Sequence, residues 1–147
     1  VLAQPNPDMI IILAGYQNEM DKMLDSNPGL RGRFTHYLHF EDYSSEELQE
    51  IAQMRIASRG LKLSLSAYET LADAIGKTLR DKTNGFANAR WVEQFADKAI
   101  CHTANRVLAS HLFTQDYLVT ITSEDIEAAY NELTIGNNYV KPKIGFA

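Results

Sequence analysis

Residues 41–60, EDYSSEELQEIAQMRIASRG, decide how most of this chain is built. Ser44 followed three residues later by Glu47 is the capping-box pattern, in which each side chain takes a backbone amide that a helix start leaves unpaired. Leu48, Ile51, Ala52, Arg55 and Ile56 then recur at helical spacing, and Gly60 ends the run. The same period continues downstream. In SAYETLADAIGKTLRDK (66–82), Ser66 and Glu69 repeat the box ahead of a stripe of Tyr68, Leu71, Ala72, Ile75 and Leu79. NARWVEQFADKAICHTANRVLAS (88–110) predicts the longest helix, with a wide apolar face running from Trp91, Val92, Phe95 and Ala96 through Ala99 and Ile100 to Val107 and Leu108. SEDIEAAYNEL (123–133) is a last helix, opened by Ser123 and burying Ile126, Ala129, Tyr130 and Leu133. Two short stretches, LKLS (61–64) and YLVTIT (117–122), read as strands able to pair with each other beside the bundle.

Upstream of residue 41 the texture differs. MIIILAGY (9–16) is a continuous apolar run ended by Gly15, the pattern of a strand buried on both faces of a parallel sheet. NEMDKMLDSNPG (18–29) predicts a short helix with Met20, Met23 and Leu24 on one face and Asn27-Pro28-Gly29 as its stop. FTHYLHF (34–40) alternates apolar and polar residues, as a strand does. The expected fold class is mainly α: a helical bundle over 43–133, preceded by a partial α/β remnant over 1–42 and followed by an irregular tail over 134–147.

Composition narrows the functions available. The 147 residues carry 14 Lys and Arg against 19 Asp and Glu, a net charge of −5, which argues against a chain devoted to nucleic acid. Cys101 is the single cysteine, so an internal disulfide and a multi-cysteine metal site are both excluded, and a reducing, cytoplasmic setting is expected. The longest apolar run, 9–14, falls far short of the ~20 residues that cross a bilayer, so no membrane partner is expected. A strand arriving almost at once after Val1 reads as the middle of a larger domain.

Two stretches hold candidate chemistry. NPGLRGRF (27–34) sets Arg31 and Arg33 one residue apart at the mouth of a strand, where mutual repulsion calls for solvent or an anion. A solvated pair that discourages edge aggregation is the plain alternative. NGFANARWV (84–92) makes Asn88 an N-cap and puts Arg90 in the first turn of the long helix, against the macrodipole. That siting suits an anion site, where amides, dipole and guanidinium converge; stacking on Trp91 or Phe86, or pairing with Glu93, is the alternative. The other chemistry-bearing residues read as structural. His36 and His39 fall on opposite faces of a strand, and His102 and His111 are far apart in sequence with no acidic residue nearby to complete a zinc set. Cys101 reads as a buried small hydrophobe, and Ser44, Ser66 and Ser123 as caps. Tyr139 and Phe146 in the tail either dock or stay disordered.

The succession IIILAGY…NPGLRGRFTHYLHFEDYSSEELQEIA, with GFANARWVEQFADKA at the expected distance, resembles the CbxX/CfqX family of AAA+ ATPases, the family of red-type rubisco activases and stage V sporulation protein K. The match runs from about Met9 to Leu133. What the resemblance implies is the C-terminal part of such an enzyme, coupling ATP binding and hydrolysis to protein remodelling. The strand ending in LAGY matches sensor 1, with Tyr16 where the wider superfamily has Asn or Thr. Arg33 matches the arginine finger that reaches a neighbouring subunit's nucleotide, with Arg31 the runner-up. Arg90 matches the sensor-2 arginine acting within its own subunit, beside Asn88, and residues from Tyr43 onward match the helical lid. ATP and Mg²⁺ are implied for the parent, as are a ring, a hexamer by resemblance, and a protein client. The departure is that no G-x-x-x-x-G-K-[ST] loop and no apolar run ending in Asp-Glu occurs, so this chain alone is expected to be inactive and to hold no ligand. The alternative function is a non-enzymatic helical interaction module.

Overall fold

The computed structural model describes residues 10–81, 88–110 and 114–136. The chain divides into two compact units, Val1–Glu41 and Asp42–Ala147.

In the first unit, α1 (Gln17–Ser26) starts where the Tyr16 carbonyl accepts the amides of Glu19 and Met20 at 3.0 and 2.9 Å. Leu24 is the buried residue of its apolar face. Asn27 closes α1, yet Pro28-Gly29 does not end helical structure, because Pro is well suited to a first helical position and opens α2 (Pro28–Arg31). Neither expected strand forms among the described residues: 10–16 and 34–40 carry no regular secondary structure. The start of the first strand reading, Met9, lies outside the described residues. The physical reason is that a strand is stabilised by its ladder partner, and an unpaired extended segment leaves its amides and carbonyls to water. The apolar residues that a sheet would have covered stand in solvent, Ile12 83% and Phe40 87% exposed.

The second unit is a helical bundle. Its α3 (Ser45–Ala57) opens on the full capping box: Ser44 Oγ accepts the Glu47 amide at 3.2 Å and Glu47 Oε2 accepts the Ser44 amide at 2.8 Å. It ends on Gly60 at φ 73°, where the Leu61 amide bonds the Ile56 carbonyl and the Gly60 amide bonds the Ala57 carbonyl, the paired bonds of a Schellman ending. Then come β1 (Lys62–Leu63), α4 (Leu65–Arg80), α5 (Ala89–Ser110), α6 (Gln115–Val119), β2 (Thr120–Ile121) and α7 (Ser123–Gly136). The strand pairing is real and parallel, with Lys62 opposite Thr120 and Leu63 opposite Ile121. It is shorter than the sequence indicates, since residues 117–119 belong to α6.

The core lies where α3, α4, α5 and α7 meet. Leu48, Ile56, Leu71, Ile75, Val92, Phe95, Ile121 and Ile126 are each 1% exposed or less. Phe95 packs against Trp91 and Tyr130, ring centroids 5.1 and 6.1 Å away. The buried face of α4 is turned from the expected stripe: Ala67 and Ala74 are buried and Tyr68 is 42% exposed. On α5, Leu108 stands out in solvent while Thr103 is buried. Cys101 is exposed rather than buried.

Two cap readings are corrected. The cap of α4 is Ser64, whose Oγ accepts the Ala67 amide at 3.1 Å; Ser66 sits inside the helix. At α7, Ser123 is already helical, and the residue before it, Thr122, bonds Asp125 Oδ2 through both amide and hydroxyl. No helix among the described residues is long and apolar enough to cross a membrane.

Candidate functional site

Arg31 and Arg33 end α2 and begin the segment beyond it, and their surroundings differ. Arg31 Nη2 lies 2.5 Å from Asp25 Oδ1, at the C-terminal end of α1. That carboxylate raises the guanidinium further above its ordinary value, first through the hydrogen bond and then through its charge. The Tyr37 hydroxyl donates to the Arg31 carbonyl at 3.0 Å. Arg33 is held by its backbone alone, its amide bonding the Leu30 carbonyl at 2.9 Å. Its side chain is exposed and makes no ion pair among the described residues. Tyr16 is 81% exposed, and no hydrogen bond joins it to either arginine.

In the second unit, Arg90 is the second residue of α5 and is exposed, with no ion pair among the described residues. Glu93 does not pair with it, and the alternative partner Phe86 lies outside the described residues. Asn88 precedes the helix but does not cap it with its side chain. Its φ of 44° is left-handed, whereas a side-chain cap needs an extended backbone. The Asn88 carbonyl takes the amides of Trp91 and Val92 at 3.1 and 3.3 Å, and Asn88 Oδ1 is buried with no hydrogen-bond partner. The amides of Ala89 and Arg90 have no carbonyl upstream within the helix. A cation, a helix N-terminus and an unsatisfied amide oxygen therefore gather at one end of α5.

Sequence reasoning missed a buried ionic group in the same unit. Asp125, 3% exposed, receives Arg106 Nε at 3.0 Å, the Thr122 amide at 3.0 Å and the Thr103 hydroxyl at 3.0 Å. Arg106 also reaches the Thr120 carbonyl at 2.8 Å and lies over the Tyr117 ring, 4.5 Å from its centroid. Burial pushes the Asp125 carboxyl up, but the bonds from Arg106, Thr122 and Thr103 more than reverse that, and it ends below its ordinary value. The signal was present as Thr122 and Asp125 three apart, the spacing of a box. A second ion pair, Arg55 to Asp97 with both oxygens engaged at 2.9 and 2.8 Å, clips α3 to α5.

His102 does have an acidic neighbour, Glu132 at 3.0 Å, brought across from α7, and Glu132 also takes Lys98. His111 lies outside the described residues. Among the described residues no group of three or more His, Cys, Asp or Glu side chains is placed to hold a metal ion. A groove of about 390 Å³ between α4 and α7, with Asp73, Lys77 and Glu127 on its walls, includes none of the candidate residues.

Residues 44–135 match the AAA lid domain family. Over most of its length the chain is similar to the CfxQ homolog of Trieres chinensis, 38% identical over 128 residues that make up 86% of this chain and 43% of that protein. It is 37% identical to protein CbbX of Cereibacter sphaeroides, covering 88% of this chain and 42% of that protein. It is 39% identical to stage V sporulation protein K of Bacillus subtilis, covering 81% and 37%. The chain thus spans about two fifths of the length of the curated relatives it matches. With a capped four-helix bundle, two short parallel strands and these relatives, the chain belongs to the AAA lid domain family, in its CbxX and CfxQ branch.

Proposed function

We propose that this chain is the C-terminal working part of a ring-forming AAA+ ATPase that acts on a protein client in the cytoplasm. Arg33 is the finger that serves the nucleotide of a neighbouring subunit, Arg90 meets nucleotide bound in its own subunit, and Arg31 is held back from either task. The observation that carries the reading is the unequal engagement of the arginine pair: Arg31 is bound to Asp25, and Arg33 stands exposed with no ion pair among the described residues. Phosphoryl transfer is catalysed largely by positive charge set against the oxygens of the transferring group, so a free guanidinium on a fixed turn has the required chemistry. The exposed apolar residues of 10–16 and 34–40 support the same reading, because they suit contact with further strands of a nucleotide-binding core.

Arg33 and Arg90 suit the phosphates of ATP, as does the N-terminal end of α5 beside Arg90. Mg²⁺ would accompany the nucleotide, bridging its phosphates with the help of one or two carboxylates. When bound, the nucleotide would supply the reacting phosphoryl group and the metal positive charge on its oxygens; Arg33 and Arg90 would supply further charge and position.

The test is Arg33→Ala in the full-length protein. Turnover should fall at least ~10³-fold while nucleotide affinity stays nearly intact, because a finger serves the transition state in another subunit. Loss of ATP binding with turnover per bound nucleotide unchanged would sink the assignment.

A further inference from the structure

Asp25 sits in the last turn of α1, where the helix offers no basic residue and the dipole disfavours an acid. It is matched by Arg31, six residues on, after the chain has turned through Asn27 into α2. The Tyr37 hydroxyl draws the following segment back onto the Arg31 carbonyl. Between these two anchors lies Arg33, its amide bonded to Leu30 and the next amide, that of Phe34, bonded to the same carbonyl at 3.3 Å. The backbone at Arg33 is therefore fixed in a turn, while its guanidinium is left in solvent. Two free guanidiniums one residue apart would compete for a single phosphate and repel each other.

We infer that Asp25 is a positioning residue: by holding Arg31 at the end of α1, it leaves Arg33 as the member of the pair free to meet a neighbour's phosphate. The inference rests on the finger role given to Arg33 above. Both partners are well exposed, 50% for Arg31 and 68% for Asp25, so the pair is worth about a two- to fivefold bias rather than an all-or-none lock.

The pair itself is tested on this chain without any activity. Phenylglyoxal modifies accessible arginines, and peptide mass spectrometry reads each rate. Arg33 should react about two- to fivefold faster than Arg31, and Asp25→Asn should bring Arg31 up to the rate of Arg33. Equal rates in the unaltered chain, or no change at Arg31 in the variant, would overturn the inference. Its consequence is read in the full-length protein by a double-mutant cycle. Asp25→Asn should lower kcat about two- to fivefold with KM unchanged, and adding Arg31→Gln to it should restore that loss, because the competing guanidinium is gone; a double variant as slow as Asp25→Asn alone would overturn the inference. If Arg31→Gln alone abolished turnover, Arg31 would itself be the reacting arginine and Asp25 would position nothing. If instead Arg33→Ala left turnover intact, the finger reading would fall while the labelling result stood unchanged.

Discussion

Asp125 shows how much one buried carboxylate can be asked to hold. It joins Arg106 and Thr103 of α5 to the start of α7, and through Arg106 it reaches the Thr120 carbonyl in β2 and the ring of Tyr117. Removing one member of a buried pair leaves the other uncompensated, so Asp125→Ala should cost about 3 kcal/mol, read as the shift in urea unfolding midpoint at pH 7. The pH dependence has a definite sign. The folded carboxyl titrates below its ordinary value, so its contribution is present above the unfolded value of ~3.9 and is lost as pH falls through the lower folded value. The stability gap between the unaltered chain and Asp125→Ala should therefore narrow between pH 4 and pH 2; a gap that widened would contradict the network. Residue-scale legibility was uneven. Arg31, Arg33 and Arg90 stood out from their spacing and siting, but which arginine was engaged depended on Asp25 folding back across a turn, which spacing does not encode. Asp125 was passed over because Ser123 offered an equally plausible opening for the same helix.

At the scale of elements, the helices were legible because each carries a local stop or start and a 3.6-residue stripe. The capping box at Ser44 and Glu47 and the left-handed Gly60 form as the sequence indicates. The start of α4 was misread by two residues. Ser66 and Glu69 satisfy the box pattern, but the Ser64 amide bonds the Ile121 carbonyl at 3.0 Å, and that strand contact decides where the helix can begin. Cap variants separate the two readings: Ser64→Ala should cost about 1 kcal/mol in thermal or urea unfolding, and Ser66→Ala only a few tenths. Equal costs would mean that Ser66 also caps. Ser44→Ala should resemble Ser64→Ala, since its Oγ likewise takes an amide of the first turn. The expected strands at 9–16 and 34–40 show the limit of pattern reading. Period and composition describe a segment's suitability for a sheet, but a strand exists only with a neighbour to pair with, and no ladder to these residues exists among those described.

At the scale of the molecule, the bundle core was foreseeable from apolar stripes, and the residues that fill it are mostly those the stripes contain. Exceptions have a common cause: Tyr68 and Leu108 lie at the margin of their stripes, where the angle at which a helix packs decides which side is covered. The two arginines of the proposed site fall in different compact units, Arg33 in the first and Arg90 in the second. With no phosphate loop in its sequence, the isolated chain should show no ATP turnover, and steady turnover lost on Arg90→Ala would contradict that expectation. The central claim is that Arg33 works across a subunit boundary, and subunit mixing tests it most directly. On the proposed reading, Arg33→Ala subunits of the full-length protein would keep the phosphate loop implied for the parent but lack the finger, and subunits with that loop's lysine replaced would keep the finger but not hold nucleotide productively. Each should be inactive alone, and mixing them should restore turnover in proportion to the mixed interfaces formed. Mixtures that assemble yet stay as inactive as either variant alone would contradict the account.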